Sequence, residues 1–229
     1  MRVSDDRYSR DQRSFHLAMR MLRFDARTNT ICAWTGFTAE RVRNLSKSYQ
    51  REHPNREPER HRGPSPTNLA PLLSSPGLRS ELAAVAGLCR VLGVIPEKPL
   101  ANARRHLPSV PGGERLCHAL ELFQETVPHA RVTFEQAVLL VMDLAEAERW
   151  SIGHCASCRA VILLDQLSLD RRVCVHCQQE ARTGRILAPP ETDPEGFGSL
   201  PIQQDLFREH EVTASEGQEP QERVVERQE

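Results

Sequence analysis

Two cysteine pairs constrain this chain more than any other feature. Cys155-Ala-Ser-Cys158 and Cys174-Val-His-Cys177 stand fifteen residues apart, the C-x2-C-x15-C-x2-C spacing of a four-thiolate zinc site. Each C-x-x-C turn presents two sulfurs to one ion, and the intervening segment is long enough to return as a hairpin. An all-cysteine tetrahedron keeps no open coordination position, so such a zinc ion shapes a fold and does no hydrolytic chemistry. The expected cofactor is therefore one structural Zn2+ on Cys155, Cys158, Cys174 and Cys177. Other uses of the same ligands stay open at this point: a redox pair or unmetallated thiols, an iron–sulfur cluster, or a site in which His154 or His176 replaces one cysteine.

Charge is unevenly distributed around this module. The whole chain carries −1, yet from Pro189 onward eleven acidic residues face three basic ones, a net of −8, which leaves +7 on residues 1–188. A basic body suits a polyanionic partner, and an acidic extension rich in Glu, Gln, Pro and Ser has too little apolar surface to offset its ordering entropy. Arg159, Arg171 and Arg172 lie between or beside the cysteines, where they offset thiolate charge and extend the basic surface. The opening residues show no apolar signal segment. The longest apolar run, near Leu82–Cys89, is far short of the roughly 20 residues needed to span a bilayer. Seven cysteines, an odd number, without an export signal fit a reducing cytoplasm. With aromatics at 5%, a β-sandwich is disfavoured.

Apolar periodicity reads as mainly α. Helical spacing runs from about Ser9 to Gln50, with Phe15, Ala18, Met19, Leu22 and Ala26 as its first inner face. Six prolines in His53–Pro76 predict a linker without regular structure. Helical patterns resume over Leu78–Leu92, Leu100–Leu107 and Gly113–Thr126. Thr133-Phe-Glu-Gln136 is a capping box that opens a helix through Trp150. Val161–Leu164 and Leu167–Val173 read as the strands of a zinc-ribbon-like hairpin. The resulting organisation is a helical region with a helix-turn-helix-like part (1–52), a Pro-rich linker (53–76), a helical core (77–150), the four-cysteine module (151–188) and an acidic tail (189–229).

Within the first region, Gly36 reads as a turn glycine between two helices. Ile31 and Cys32 fall inside the first. Thr38 caps the second, and Val42, Leu45 and Tyr49 give it an inner face. Arg41, Arg43, Asn44 and Lys47 then point outward, where Arg and Lys reach phosphates and Arg and Asn pair with guanine and adenine edges. A plain αα-hairpin with a solvated charged face is the alternative. Cys32, Cys89 and Cys117 sit on apolar faces as small core residues. Away from the cysteine pairs, His53 and His61 lie in the Pro-rich stretch, and His106, His118 and His129 have no ligand-spaced partner. No phosphate loop, nucleophile elbow or His–carboxylate motif supports an enzyme.

Taken together, several of these stretches resemble the FlhC family of flagellar transcriptional activators. They are Arg13-Ser-Phe-His-Leu-Ala-Met-Arg-Met-Leu22 with Asp25-Ala-Arg27, then Gly36-Phe-Thr-Ala-Glu-Arg-Val-Arg-Asn-Leu45 and Arg62-Gly-Pro-Ser-Pro66. The helix Glu135–Trp150 running into His154-Cys-Ala-Ser-Cys158, and Val173-Cys-Val-His-Cys177, complete the likeness, which spans roughly residues 10–188 in order. The resemblance implies a mostly helical, cytoplasmic DNA-binding subunit with a four-cysteine zinc site. It implies a heterohexamer with an FlhD-type partner that activates flagellar operons together with RNA polymerase. The competing expectation is a zinc-ribbon adaptor that binds only protein, and a third is a thiol-redox sensor.

Overall fold

The computed structural model describes residues 5–55, 65–168 and 172–183, with side chains from Tyr8 onward. The acidic segment 189–229, the linker stretch 56–64 and Arg171 lie outside the described residues. Within them the chain is mainly helical, with nine helices and one two-stranded sheet.

The first three helices are α1 (Asp5–Arg23), α2 (Thr28–Thr35) and α3 (Ala39–Glu52), and each packs against the other two. Leu17, Ala18, Met21 and Leu22 form the inner face of α1, while Phe15 stays 37% exposed. The inner face is thus rotated from the expected one, and the cause lies on α7 (Val110–Thr126). Gly112 and Gly113 open that helix, and a Cβ on Gly113 would stand 2.7 Å from Leu17 Cδ2. Their bare backbones let α7 lie directly on Leu17 and Met21 of α1 and on Trp34 of α2. Two ion pairs on the rim, Arg13–Glu114 and Arg20–Glu121, keep the same offset two turns apart. The two helices therefore run parallel.

The proline-rich stretch is not wholly irregular. Within it α4 (Ala70–Leu73) forms, and Leu69 and Leu73 are buried in the core. Pro71 occupies the first turn of α4 and Pro76 the first turn of α5 (Pro76–Val91). A proline there sacrifices no intrahelical hydrogen bond, because first-turn N–H groups have no partner within the helix. Two of the six prolines thus start helices instead of breaking them. The predicted helix at Leu100–Leu107 shrinks to α6 (Ala103–His106). Helix α7 starts three residues early because Ser109 caps it, accepting from the Gly112 N–H.

The capping box predicted at Thr133 forms with both its hydrogen bonds and opens α8 (Phe134–Glu146). This helix does not continue to Trp150. It ends at Glu146, with Ala147 in the left-handed region, and the chain turns into β1 (Trp150–His154). An antiparallel partner, β2 (Val161–Asp165), pairs Ile152 with Leu163. Leu163 is fully buried beneath α5, and Gly87 of α5 lies in van der Waals reach of Val161. One continuous apolar core thus runs from Leu17 through α5, α7 and α8 to Leu163.

One buried carboxylate links the two ends of this core. Glu135, 6% exposed, accepts the Arg27 N–H at 2.8 Å and the Thr30 hydroxyl at 2.9 Å. Arg27 is the N-cap position of α2 and supplies no side-chain cap of its own, so a residue of α8 does the capping. Replacing Glu135 with alanine strands buried donors and is expected to lower unfolding free energy by about 1–3 kcal/mol, read by urea denaturation. Asp143 on α8 provides a pH test. Burial pushes its carboxyl up to about 6, with Arg104 opposing and Glu146 adding. The folded state therefore disfavours the charged form, a penalty present above pH 6 and relieved as pH falls towards the unfolded value. Asp143→Asn should gain on the order of 1 kcal/mol over the parent at pH 8, after discounting for solvent screening. The difference should vanish near pH 4.

Candidate metal centre and basic helix face

The hairpin positions the first cysteine pair. Cys155 follows β1, and its N–H donates to the Ala160 carbonyl at 2.8 Å, closing the loop between the strands. The Arg159 N–H returns to the Cys155 carbonyl at 3.0 Å, with Arg159 in the left-handed region at φ 62°. This tight turn brings Cys155 and Cys158 to one side. The second pair arrives on a different element. No strand forms at the described ends of Leu167–Val173, because Asp165 to Ser168 make a turn. Cys174 instead precedes α9 (Val175–Thr183), and Cys177 lies in its first turn. The module is a hairpin knuckle facing a helix N-terminus, rather than two matched hairpin loops.

Backbone hydrogen bonds fasten the two arms. The Ala156 N–H donates to the Arg172 carbonyl at 2.7 Å. The Cys174 N–H points at Cys155 Sγ at 3.2 Å, and the Cys177 N–H at Cys174 Sγ at 3.4 Å. All four sulfurs lie within 4.8 Å of one another, and Cys158 Sγ and Cys174 Sγ are 3.6 Å apart. A tetrahedron with metal–sulfur arms of about 2.3 Å has edges of about 3.8 Å, so the cage suits a single metal ion. Neither His154 nor His176 belongs to the cluster; both are exposed.

The electrostatics fit a dication. Burial works against ionising Cys155, but N–H groups of Cys158, Cys174 and Ser157 outweigh it and lower the thiol to about 6. The neighbouring sulfurs of Cys174 and Cys158 push Cys177 up to about 12, and burial raises Cys174. Four thiolates so close cannot ionise together without a compensating cation, and a bound dication provides that compensation. None of the residues of α9 is fully buried, and Val175 is its one half-buried aliphatic residue, so its place depends more on Cys174, Cys177 and short backbone bonds than on apolar packing. Stripping metal with a strong chelator should release α9 and leave the helical core folded. Amide exchange would show lost protection at 175–183 with α5, α7 and α8 unchanged.

The other thiols behave as core residues. Cys89 and Cys117 are buried, and burial pushes both thiols up to about 12. Cys32 is half-buried.

At the N-terminal end, the turn expected at Gly36 is present. Gly36 has φ 75° and returns its N–H to the Cys32 carbonyl at 2.9 Å. Thr38 caps α3 by accepting from the Arg41 N–H, and Val42 and Tyr49 are buried beneath it. Ile31 is buried, while Cys32 and Leu45 are half-buried against the core. Arg41, Arg43, Asn44 and Lys47 are all exposed. Arg41 and Asn44 line one shallow depression with Thr38, Glu40, Leu45 and Ser48. Arg41 already has partners: both its terminal nitrogens reach Asp11 of α1, at 3.1 and 3.0 Å, and its guanidinium lies 3.9 Å over the Phe37 ring.

Arg51, also exposed, extends the face beyond the residues expected from sequence. Arg43, Lys47 and Arg51 recur every fourth residue and so share one stripe of α3. That spacing is present in the sequence, but Arg51 lies past Tyr49, where the helix-turn-helix reading of about Asn29–Tyr49 ends. Arg159 and Arg172 are exposed beside the cysteine cluster. Helix α3 packs on α1 and α2, whereas the hairpin packs on α5 and α8, so the two basic groups belong to different parts of the fold. No helix among the described residues is long and apolar enough to cross a membrane. No protein-family model matches the sequence, and no curated protein matches it either.

Proposed function

We propose that this chain is a DNA-binding transcriptional activator subunit of the FlhC type, built around one structural Zn2+. The observation that carries the reading is the three-helix unit α1–α3. In it a left-handed Gly36 and a Thr38 cap hold a helix with its apolar side buried and Arg43, Lys47 and Arg51 along its outer side. A basic helix standing out from such a unit is the form in which a major groove is entered. Zinc is the reading for the ion because the donors are four soft thiolates in a closed single-ion cage. Cys155, Cys158, Cys174 and Cys177 would hold it, and its role would be to shape the module that presents Arg159, Arg171 and Arg172. An FlhD-type partner, RNA polymerase and flagellar promoters follow from the sequence resemblance alone.

DNA binding is tested by fluorescence anisotropy with promoter duplexes across a salt series, with and without the FlhD-type partner. Phosphate contacts release counterions, so log affinity should fall linearly with log salt. Alanine at Arg43, Lys47 or Arg51 should each reduce the slope by about one and weaken all duplexes alike, whereas Asn44→Ala should relax sequence preference. Salt-insensitive or absent binding, with the protein complex still assembling, would favour the adaptor reading instead.

A further inference from the structure

Of the seven cysteines, Cys158 is the exposed one. Its sulfur stands 3.6 Å from that of Cys174, which belongs to the other pair. Cys155, its partner within the first pair, is 1% exposed and its sulfur accepts the Cys174 N–H. The accessible sulfur therefore faces across the cage, towards the residue that precedes α9. Cys89 and Cys117 are buried in the helical core and have no part in this chemistry.

We propose that the cluster is an oxidant-sensitive clasp, in which hydrogen peroxide converts Cys158 and Cys174 to a disulfide and thereby releases the metal ion, leaving α9 tied at Cys174 but no longer at Cys177. This rests on the reading that the four sulfurs hold a metal ion as thiolates. The Cys158 thiolate attacks one peroxide oxygen. An S–O bond forms, the O–O bond breaks, and hydroxide leaves with the electron pair to be protonated to water. The Cys174 thiolate then attacks the Cys158 sulfur. The S–S bond forms, the S–O bond breaks, and a second hydroxide leaves. Two electrons have passed from two sulfurs to one hydrogen peroxide, so no further reactant is required. Only Cys155 and Cys177 then remain as donors, too few to retain the ion in a closed site. Helix α9 buries none of its residues, so without the Cys177 anchor only Cys174, short backbone bonds and the half-buried Val175 hold it. A dithiol reductant with added zinc reverses the change by thiol–disulfide exchange.

The test uses the full-length, metal-loaded protein. Metal content is measured first, and then hydrogen peroxide is added with a chromogenic zinc chelator present. Samples are alkylated and mapped as peptides without reduction. The expected result is metal release in step with a single Cys158–Cys174 disulfide, restored by dithiothreitol and zinc, with Cys158→Ser slowing release by roughly tenfold. Should Cys158→Ser fail to hold metal, the peptide map of the parent decides. Metal retained at peroxide levels that oxidise free cysteine, or released with a Cys155–Cys158 or Cys174–Cys177 disulfide, overturns the inference alone. A purified protein that holds no metal and takes up none overturns the metal reading itself.

Discussion

The carboxylate of Glu135 is the interaction on which the arrangement of this fold depends. It lies on the first turn of α8, within the capping box, and reaches the start of α2 more than a hundred residues earlier in the chain. A buried carboxylate is tolerated only when its lone pairs are satisfied, and here a backbone N–H and a hydroxyl satisfy them. The bond holds the three-helix unit in a set orientation against α8. The hairpin follows directly from the other end of α8. A single helix therefore carries constraints for both the basic helix face and the metal centre.

Around that link, close approach substitutes for bulky packing. Gly112 and Gly113 bring α7 onto α1 and α2, so Trp34 and Leu17 fill the space that side chains on α7 would occupy. The core is correspondingly rich in Leu and Ala, with Trp34 the largest of its fully buried side chains. The cysteine module solves its packing differently. It contributes Leu163 and Ile162 to the buried set, but α9 contributes nothing. A helix of nine residues is unstable alone in water, so an ion held by the four cysteines would supply at its N-terminal turn what packing does not.

Much of this was legible in the sequence where the signal is local. Thr133 and Gln136 satisfy each other's backbone within one turn, and the capping box formed as read. Gly36 and Thr38 likewise act within a few residues of themselves, so the α2–α3 turn followed from their types. The C-x-x-C spacing pointed to the four-cysteine cluster, because two thiols three residues apart can face one ion in almost any tight turn. The errors arose where distant residues decide. Phe15 reads as an inner residue by periodicity, but α7 docks on the neighbouring face. Glu, Ala and Arg continue a helical pattern as far as Trp150. Pairing with Val161–Asp165 takes Trp150–His154 as a strand instead. The second strand expected before Cys174 is absent at its described ends, where the Asp165–Ser168 turn leads the chain away from β2.

The sequence by itself determined the mainly helical class, the four-cysteine cluster and the presence of an exposed basic face, since each rests on side-chain chemistry at short spacing. The tertiary structure alone decided which face of α1 is buried and which residue caps α2. It also decided that Cys158 and Cys174 meet across the cage and that Arg41 rests between Asp11 and Phe37. These depend on how helices far apart in sequence approach one another. Backbone clearance at Gly112–Gly113 and the satisfaction of one buried carboxylate govern that approach, and neither is encoded in local periodicity.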